Sequence, residues 1–516
     1  MDNSSVGRVE SVRSETCIVT GLRGVGLSNV VTFSSGATGI VLGFEHQSAQ
    51  IVMLEAYDKV KKGDLVRVIS RYPVVTVSQK LLGRVIDPLG RALDGRGDID
   101  TVGAVSLPVE IAARPIYQRA IVDKPLHTGY GLIDSQIPIG LGQRELLLGE
   151  SKSGQVDVAI DVICNQARLK TGTICVYVAI DSEVAVTKRN VERLEREGAL
   201  SQTVVIFGRT ASAASMNYIA PMVGMSIAEW FMTQGKNVLI VFDDMTRHAK
   251  VYRQLSLLLN RPASREAYPG DIFYLHSRLL ERCGAFNEHA GSGTITALPI
   301  VETSTEEVTD YITTNLMSIT DGHVLFRRAL ANKGLHPPID SGFSVSRIGG
   351  RVQPKLIRGL SDKLKDILIR FSEIERFIAF GTDLNSDSLE IYNLGLRSRA
   401  IFDQTSDDYF TPMQQALLLH FITSKKALEW GPGQMKEVRS QLLKFVGKPP
   451  YDKILSPTML QSYDKNITDT FDDCIKDFIK DPSTLKPVEK APRLVAETET
   501  ISGILRENED MFHDKN

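Results

Sequence analysis

Between residues 145 and 303 the chain repeats one pattern: an apolar run with no polar break, then a longer amphipathic stretch. The apolar runs are ELLLGE, TICVYVAID, TVVIFG, NVLIVFDD and ALPIVET. Between them lie segments such as EVAVTKRNVERLEREG, Glu183 to Gly198, and HAKVYRQLSLLLN, His248 to Asn260, which read as helices. A strand that is apolar at consecutive positions is buried on both faces, as in a parallel sheet wrapped by helices. The predicted fold class is therefore α/β, a mostly parallel sheet covered on both sides.

The flanks read differently. Residues 1–78 hold CIVTGL, NVVTFSS, TGIVLGF, AQIVMLEA and DLVRVIS, separated by turn residues. Closely spaced short strands without helical period predict a small β-barrel. LGRVIDPLGRALDGRGDI, Leu82 to Ile99, carries three turn signals and reads as a link into a central domain spanning 79–350. Residues 351–516 lose the strand signal. PKLIRGLSDKLKDILIRFSEIERFIAF and TPMQQALLLHFITSKKALEWG are helical in period and predict an α-helical bundle. From Asp481 the stretch DPSTLKPVEKAPRL reads as an exposed connector before a short helix-compatible end.

Composition excludes some functions. A net charge of −2 provides no field for nucleic acid or an anionic membrane surface. The five cysteines are scattered, with no C-x-x-C pair. They fit reduced thiols of a cytoplasmic protein, with neither a disulfide framework nor a zinc site. No stretch approaches the ~20 apolar residues of a spanning helix, and the start lacks the pattern of a signal peptide. Any membrane association is expected through partners. The nine histidines lack metal-ligand spacing, and His276 and His323 read as structural. DKVKKGD reads as a solvated loop.

The sharpest local signal is GESKSGQV, Gly149 to Val156, between an apolar strand and a helix. A phosphate-binding loop has the form G-x-x-x-x-G-K-[ST], in which backbone N–H groups and the helix N-terminus hold phosphate, the lysine reaches the outer phosphates and the hydroxyl ligates magnesium. Gly149 and Gly154 have this spacing. The lysine position is Gln155 and the hydroxyl position is Val156. Ser153 precedes the second glycine, and Lys152 is the one cation inside the loop that could compensate. Asp157 suits the helix dipole but repels a triphosphate. Two lost charge-assisted hydrogen bonds weaken binding by about 10²–10⁴-fold. NVLIVFDDM adds a second signal. The apolar strand ends in Asp243 and Asp244, where a carboxylate of a magnesium shell belongs; the alternative is that these carboxylates only cap a strand end or the next helix.

Longer motifs carry a resemblance. At PIGLGQRELLLGE, LNRPASREAYPGDIFYLHSRLLERC, GSGTITALPIVET, TNLMSITDGHVLF and GFSVSRIGG the chain resembles the alpha, noncatalytic subunits of rotary F-type ATP synthases, in order from about residue 7 to beyond 420. The match is poor beyond about 430. The resemblance implies a β-barrel, a central RecA-like nucleotide domain and a helical bundle. It implies a hexameric ring in which alpha subunits alternate with catalytic beta-type subunits around a gamma-like central shaft, membrane-associated through other subunits. In that family ATP hydrolysis or synthesis is linked to proton transport. Some F-type-like assemblies of wall-less bacteria are tied to motility.

The departures from the family are expectations of their own. Its alpha subunits usually keep a Gly-Lys-Thr loop and hold a nucleotide that does not turn over. Here that loop is degenerate. The family's Gly-Gln-Lys after the next strand reads Asp181-Ser182-Glu183, and its adenine-side arginine before a proline reads His336. The subunit's own pocket is expected to be empty or to bind nucleotide only very weakly. The family's alpha subunits also begin with a stalk-binding helix, and this sequence starts almost directly at the barrel, so a standard stator attachment is not expected. In SGFSVSRIGG, Arg347 aligns with the arginine finger that alpha inserts into the neighbouring beta-type site. ATP or ADP with magnesium is held there, and Met317, Ser318 and Val345 align with residues lining the same pocket. A guanidinium suits the spreading charge of phosphoryl transfer, and such a finger contributes ~10³–10⁵ in rate. Two readings compete. An autonomous ATPase of the rotary or secretion type needs the intact loop. A purely structural scaffold needs neither site.

Overall fold

The computed structural model describes residues 6–45, 47–303, 308–379, 385–406, 408–481 and 484–485. Two compact units result: Met1–Gln353 together with Gln404–Tyr409, and Pro354–Asp403 together with Phe410–Asn516.

The first unit opens with a closed antiparallel barrel of six strands: β1 Gly7–Arg13, β2 Thr16–Thr20, β3 Val30–Phe33, β4 Thr38–Glu45, β5 Ser48–Glu55 and β6 Leu65–Ser70, in the order β1-β2-β5-β4-β3-β6. Alternate residues fill its interior, among them Val9, Val19, Val31, Val41, Ile51 and Val66, all buried. Five of these strands were legible as apolar runs. The sixth, β1, was not, because GRVESVR buries only Gly7 and Val9 and presents charges outward. Closure leaves no exposed edge.

The central sheet has nine strands. They include β7 Val85–Ile86, β8 Glu145–Glu150, β9 Ile174–Ser182, β10 Thr203–Arg209, β11 Asn237–Asp243, β12 Thr294–Thr303, β13 Gly322–Phe326 and β14 Val345–Ser346, ordered β14-β13-β8-β12-β11-β9-β10-β7. The ninth, Gly284–Ala285, pairs antiparallel with β12. All neighbours along the main order are parallel except β14, which runs antiparallel beside β13. β7 lies inside the stretch read as a link; two residues are too few to show a period. Successive residues of the strands serve different cores: Leu146, Leu148, Val176 and Val178 face one, and Leu147, Tyr177, Ala179 and Val205 the other. Both cores are closed by helices, including α1 Gln155–Arg168, α2 Val184–Arg196, α3 Ala214–Thr233, α4 Met245–Leu258 and α5 Tyr311–Ile319. This is the covered parallel sheet that the apolar runs require.

The second unit is helical: α6 Lys355–Ala379, α7 Ser386–Ile401, α8 Pro412–Thr423, α9 Met435–Val446 and α10 Lys465–Lys480. α8 starts at a capping box, with Thr411 accepting from the Gln414 N–H and Gln414 returning to the Thr411 N–H, and Pro412 at the first helical position. α6 and α7 pack closely at Gly395, where an added Cβ would lie 2.1 Å from the Phe371 ring. Most of the connector and all of the end predicted after Asp481 lie outside the described residues.

Candidate functional site

β8 carries Gly149 and Glu150 to its carboxyl end, and α1 begins at Gln155. In between, Lys152 and Gly154 adopt left-handed conformations, φ 63° and 96°. A Cβ on Gly149 would lie 2.5 Å from the Phe326 carbonyl oxygen, so glycine is what lets β13 approach. The backbone of a phosphate loop is therefore present.

The side chains close that loop from within. The Ser153 hydroxyl donates to the Glu150 carbonyl at 2.6 Å, the Ser153 N–H reaches it at 3.2 Å, and Gln155 Nε2 donates to it at 3.1 Å. Ser153 and Gln155 are buried. Val156 packs against the core where a magnesium-binding hydroxyl belongs. Arg328 donates to the Ser151 carbonyl from outside. Lys152 is exposed and makes no hydrogen bond or ion pair among the described residues. This pair of side chains does not fit a magnesium triphosphate: Gln155 supplies no cation and Val156 no hydroxyl.

At the end of β11, one strand beyond β12, Asp243 is buried and accepts a hydrogen bond from the Tyr177 hydroxyl, which itself accepts from Asn190 at 2.9 Å. Burial raises its pKa. Asp244 caps α4 through the Thr246 N–H. Its other oxygen is buried without a hydrogen bond, and Arg247 Nε stands 3.8 Å away. Burial, then the charge of Glu302, pushes Asp244 up to about 7. Asp244 thus caps the helix that follows.

Two further clusters carry no motif. Asp161, two turns into α1, is fully buried and accepts from Tyr130, Tyr409 (2.6 Å) and Arg193. Burial pushes it up to about 6, against the pull of these donors. Its signal in sequence is a single carboxylate inside the apolar run VAIDVIC. His248 and His276 are buried ring to ring, with Nδ1 and Nε2 3.2 Å apart, and burial holds His248 down to about 4. His336 lends its carbonyl to the Gln404 N–H at 2.6 Å.

Arg347 lies elsewhere. Glu145 at the start of β8 pairs with Gly322 at the start of β13, and Gly322 pairs with Ser346 of β14, so Arg347 leaves the sheet at the end opposite to the Gly149–Val156 loop. Its N–H donates to the Asp321 carbonyl at 2.9 Å, and Asp321 is held by Arg144 through Nε at 3.0 Å and a terminal nitrogen at 2.7 Å. The backbone is thus anchored. The Arg347 side chain is exposed, and its guanidinium has no hydrogen bond or ion pair among the described residues. Val345 is 46% exposed and Phe343 65%, an apolar surface beside a free cation. On α5, which runs into Asp321, Met317 is half-buried and Ser318 exposed. The sequence candidates thus separate into two groups, one at each end of the same strands.

A barrel, a wrapped parallel sheet with a phosphate-loop turn and a helical unit define a nucleotide-domain protein of three parts. Comparison with known proteins narrows this. Residues 129–346 match the nucleotide-binding domain of the ATP synthase alpha/beta family, and residues 353–480 match the C-terminal domain of ATP synthase alpha/beta chains. The second match reaches past the point, about 430, where the resemblance read from sequence grew poor. The chain is 40% identical over 449 residues to ATP synthase subunit alpha of Caldanaerobacter subterraneus subsp. tengcongensis, covering 86% of this chain and 87% of that one. It is 40% identical over 423 residues to ATP synthase subunit alpha of Staphylococcus aureus, covering 82% and 84%. The chain belongs to the ATP synthase alpha/beta family, on the alpha side of it. Among the described residues no helix is long and apolar enough to cross a membrane.

Proposed function

We propose that this chain is the noncatalytic alpha-type subunit of an F-type-like rotary ATPase ring, and that it donates Arg347 in trans to a beta-type neighbour while its own cleft holds no nucleotide. One observation carries the reading. The loop that would bind phosphate is closed by its own Gln155, whereas Arg347 stands anchored at its backbone and unpaired at its head. A free, permanently charged guanidinium beside exposed Val345 and Phe343 suits a site completed by another subunit. The partners are beta-type subunits and a gamma-like shaft, with ATP or ADP and magnesium held on the neighbour's side and lined from this side by Met317, Ser318 and Val345. Membrane association runs through other subunits of the complex.

The test is to purify the assembled ring and determine which pockets contain nucleotide, then repeat turnover measurements with Arg347→Ala. Nucleotide only in the neighbour's pockets, with turnover reduced ~10³–10⁵-fold in the variant, is the expected result. ATP turnover by the purified chain alone would favour an autonomous ATPase. Unchanged turnover in the variant ring would leave only a scaffold.

A further inference from the structure

Glu145 is fully buried at the start of β8. Gln143 Nε2 donates to its Oε2 at 2.7 Å, and the same nitrogen donates to the Ser346 hydroxyl oxygen at 3.0 Å. Ser346 Oγ in turn donates to the Pro138 carbonyl at 2.7 Å and accepts from the Gly349 N–H at 3.1 Å. The amide oxygen of Gln143 is taken by the Gly140 N–H at 2.8 Å. Ser346, the residue before Arg347, is therefore tied into the interior by a continuous polar chain, and its hydroxyl also holds the backbone of Gly349, two residues past Arg347. Gly322 makes room for it: a Cβ there would meet Glu145 Oε2 at 2.4 Å and the Val345 carbonyl oxygen at 2.3 Å.

This chain is costly. Glu145 Oε1 is buried without a hydrogen-bond partner, and burial holds the carboxyl pKa well above the ordinary carboxylate range, with the Arg347 charge pulling the other way. A buried polar group left partly unpaired needs a compensating reason. The sheet itself does not supply one, because β14 is only two residues long and leads directly into Arg347.

We propose that Glu145, Gln143 and Ser346 form a positioning device for Arg347, fixing the turn from which the guanidinium reaches the neighbouring subunit's site; this rests on the arginine-finger reading above. Gln143 is the link. Its amide orientation is set by Glu145 and Gly140, and it delivers a donor to Ser346.

The test uses the assembled ring with Gln143→Met, which cuts the chain at its middle, and Ser346→Ala, which cuts it at the surface. Each is measured alone and combined with Arg347→Ala. A displaced catalytic group costs up to ~10²-fold, so each single variant should lower kcat about 10- to 100-fold with KM for ATP unchanged. In the Arg347→Ala background neither should slow the ring further. Unchanged kcat in both variants, or a fall that persists without Arg347, overturns the proposal while leaving the finger intact. Failure of both to assemble makes the chain a folding element and overturns it equally. If Arg347→Ala alone turns over normally, the finger reading itself is lost.

Discussion

The side-chain amide of Gln155 donates to the carbonyl of Glu150 at 3.1 Å, across the mouth of a loop whose backbone is shaped for phosphate. The turn survives because it joins β8 to α1 and so serves both cores, whatever ligand it holds. The lysine and hydroxyl that a phosphate loop uses are replaced here by Gln155 and Val156, and packing does not require either of the two lost groups.

Restoring those side chains should restore some affinity. Gln155→Lys with Val156→Thr returns a cation and a hydroxyl, each bond contributing roughly 1.5–3 kcal/mol. His336 and Asp181 to Glu183 remain unrepaired, so a gain of about 10- to 100-fold in magnesium-ATP binding is expected. Calorimetric titration of the purified variant against the parent chain checks it. Equal affinities would show that the loop's side chains do not set the affinity of the cleft.

Asp161 gives the fold a stability that depends on pH. Its folded pKa is raised to about 6, above the ~3.9 of an unfolded aspartate. The folded state therefore binds more protons between these values, and stability declines as pH rises from 4 through 6. Relative to Asp161→Asn, the parent chain should lose on the order of 3 kcal/mol over that window. Denaturant midpoints of both chains at pH 4, 5, 6 and 7 report it. A constant difference would mean that Asp161 is ionised throughout.

His248 works in the other direction. Its folded pKa is depressed to about 4, below the ~6.5 of an unfolded histidine. Now the unfolded state binds the extra proton, so stability is lost as pH falls from 6.5 to 4. Relative to His248→Gln, the parent should lose on the order of 3 kcal/mol between pH 7 and pH 4. The same midpoint series, run on this pair, should slope oppositely to the Asp161 series.

Gly395→Ala should destabilise the helical unit. The new methyl would lie 2.1 Å from the Phe371 ring, which is itself buried against α7 and cannot swing away. Overpacking of this kind costs about 1–3 kcal/mol. Thermal unfolding followed by circular dichroism would show the lowered transition, and an unchanged midpoint would mean that the two helices separate freely there.

Much of this was legible in the sequence. TICVYVAID and NVLIVFDD announce buried parallel strands because their interior residues are apolar without a break. GRVESVR hides a barrel strand because only one face is buried, and half of that face is glycine. Val85–Ile86 hides because the pairing that makes it a strand comes from Thr203–Arg209, far along the chain. The loss of Lys and Thr from the phosphate loop can be read directly as letters. The closing hydrogen bond of Gln155 cannot, since it depends on where a flexible side chain folds. Glu145 looks like the polar start of a strand, and only the approach of β13 and β14 makes it a buried carboxylate. Tyr409 meets Asp161 across a separation of 248 residues, which no local pattern encodes.

The strand Glu145–Glu150 is only six residues long. Arg347's support begins at its first residue and the eroded loop at its last. Adding or removing one residue between them would turn the residues on one side of the change toward the opposite core and displace one end relative to the other. Letters hanging from the far turn can be exchanged freely, but the count cannot change. The strand therefore sets the distance between the Gly149–Val156 turn and the turn that carries Arg347.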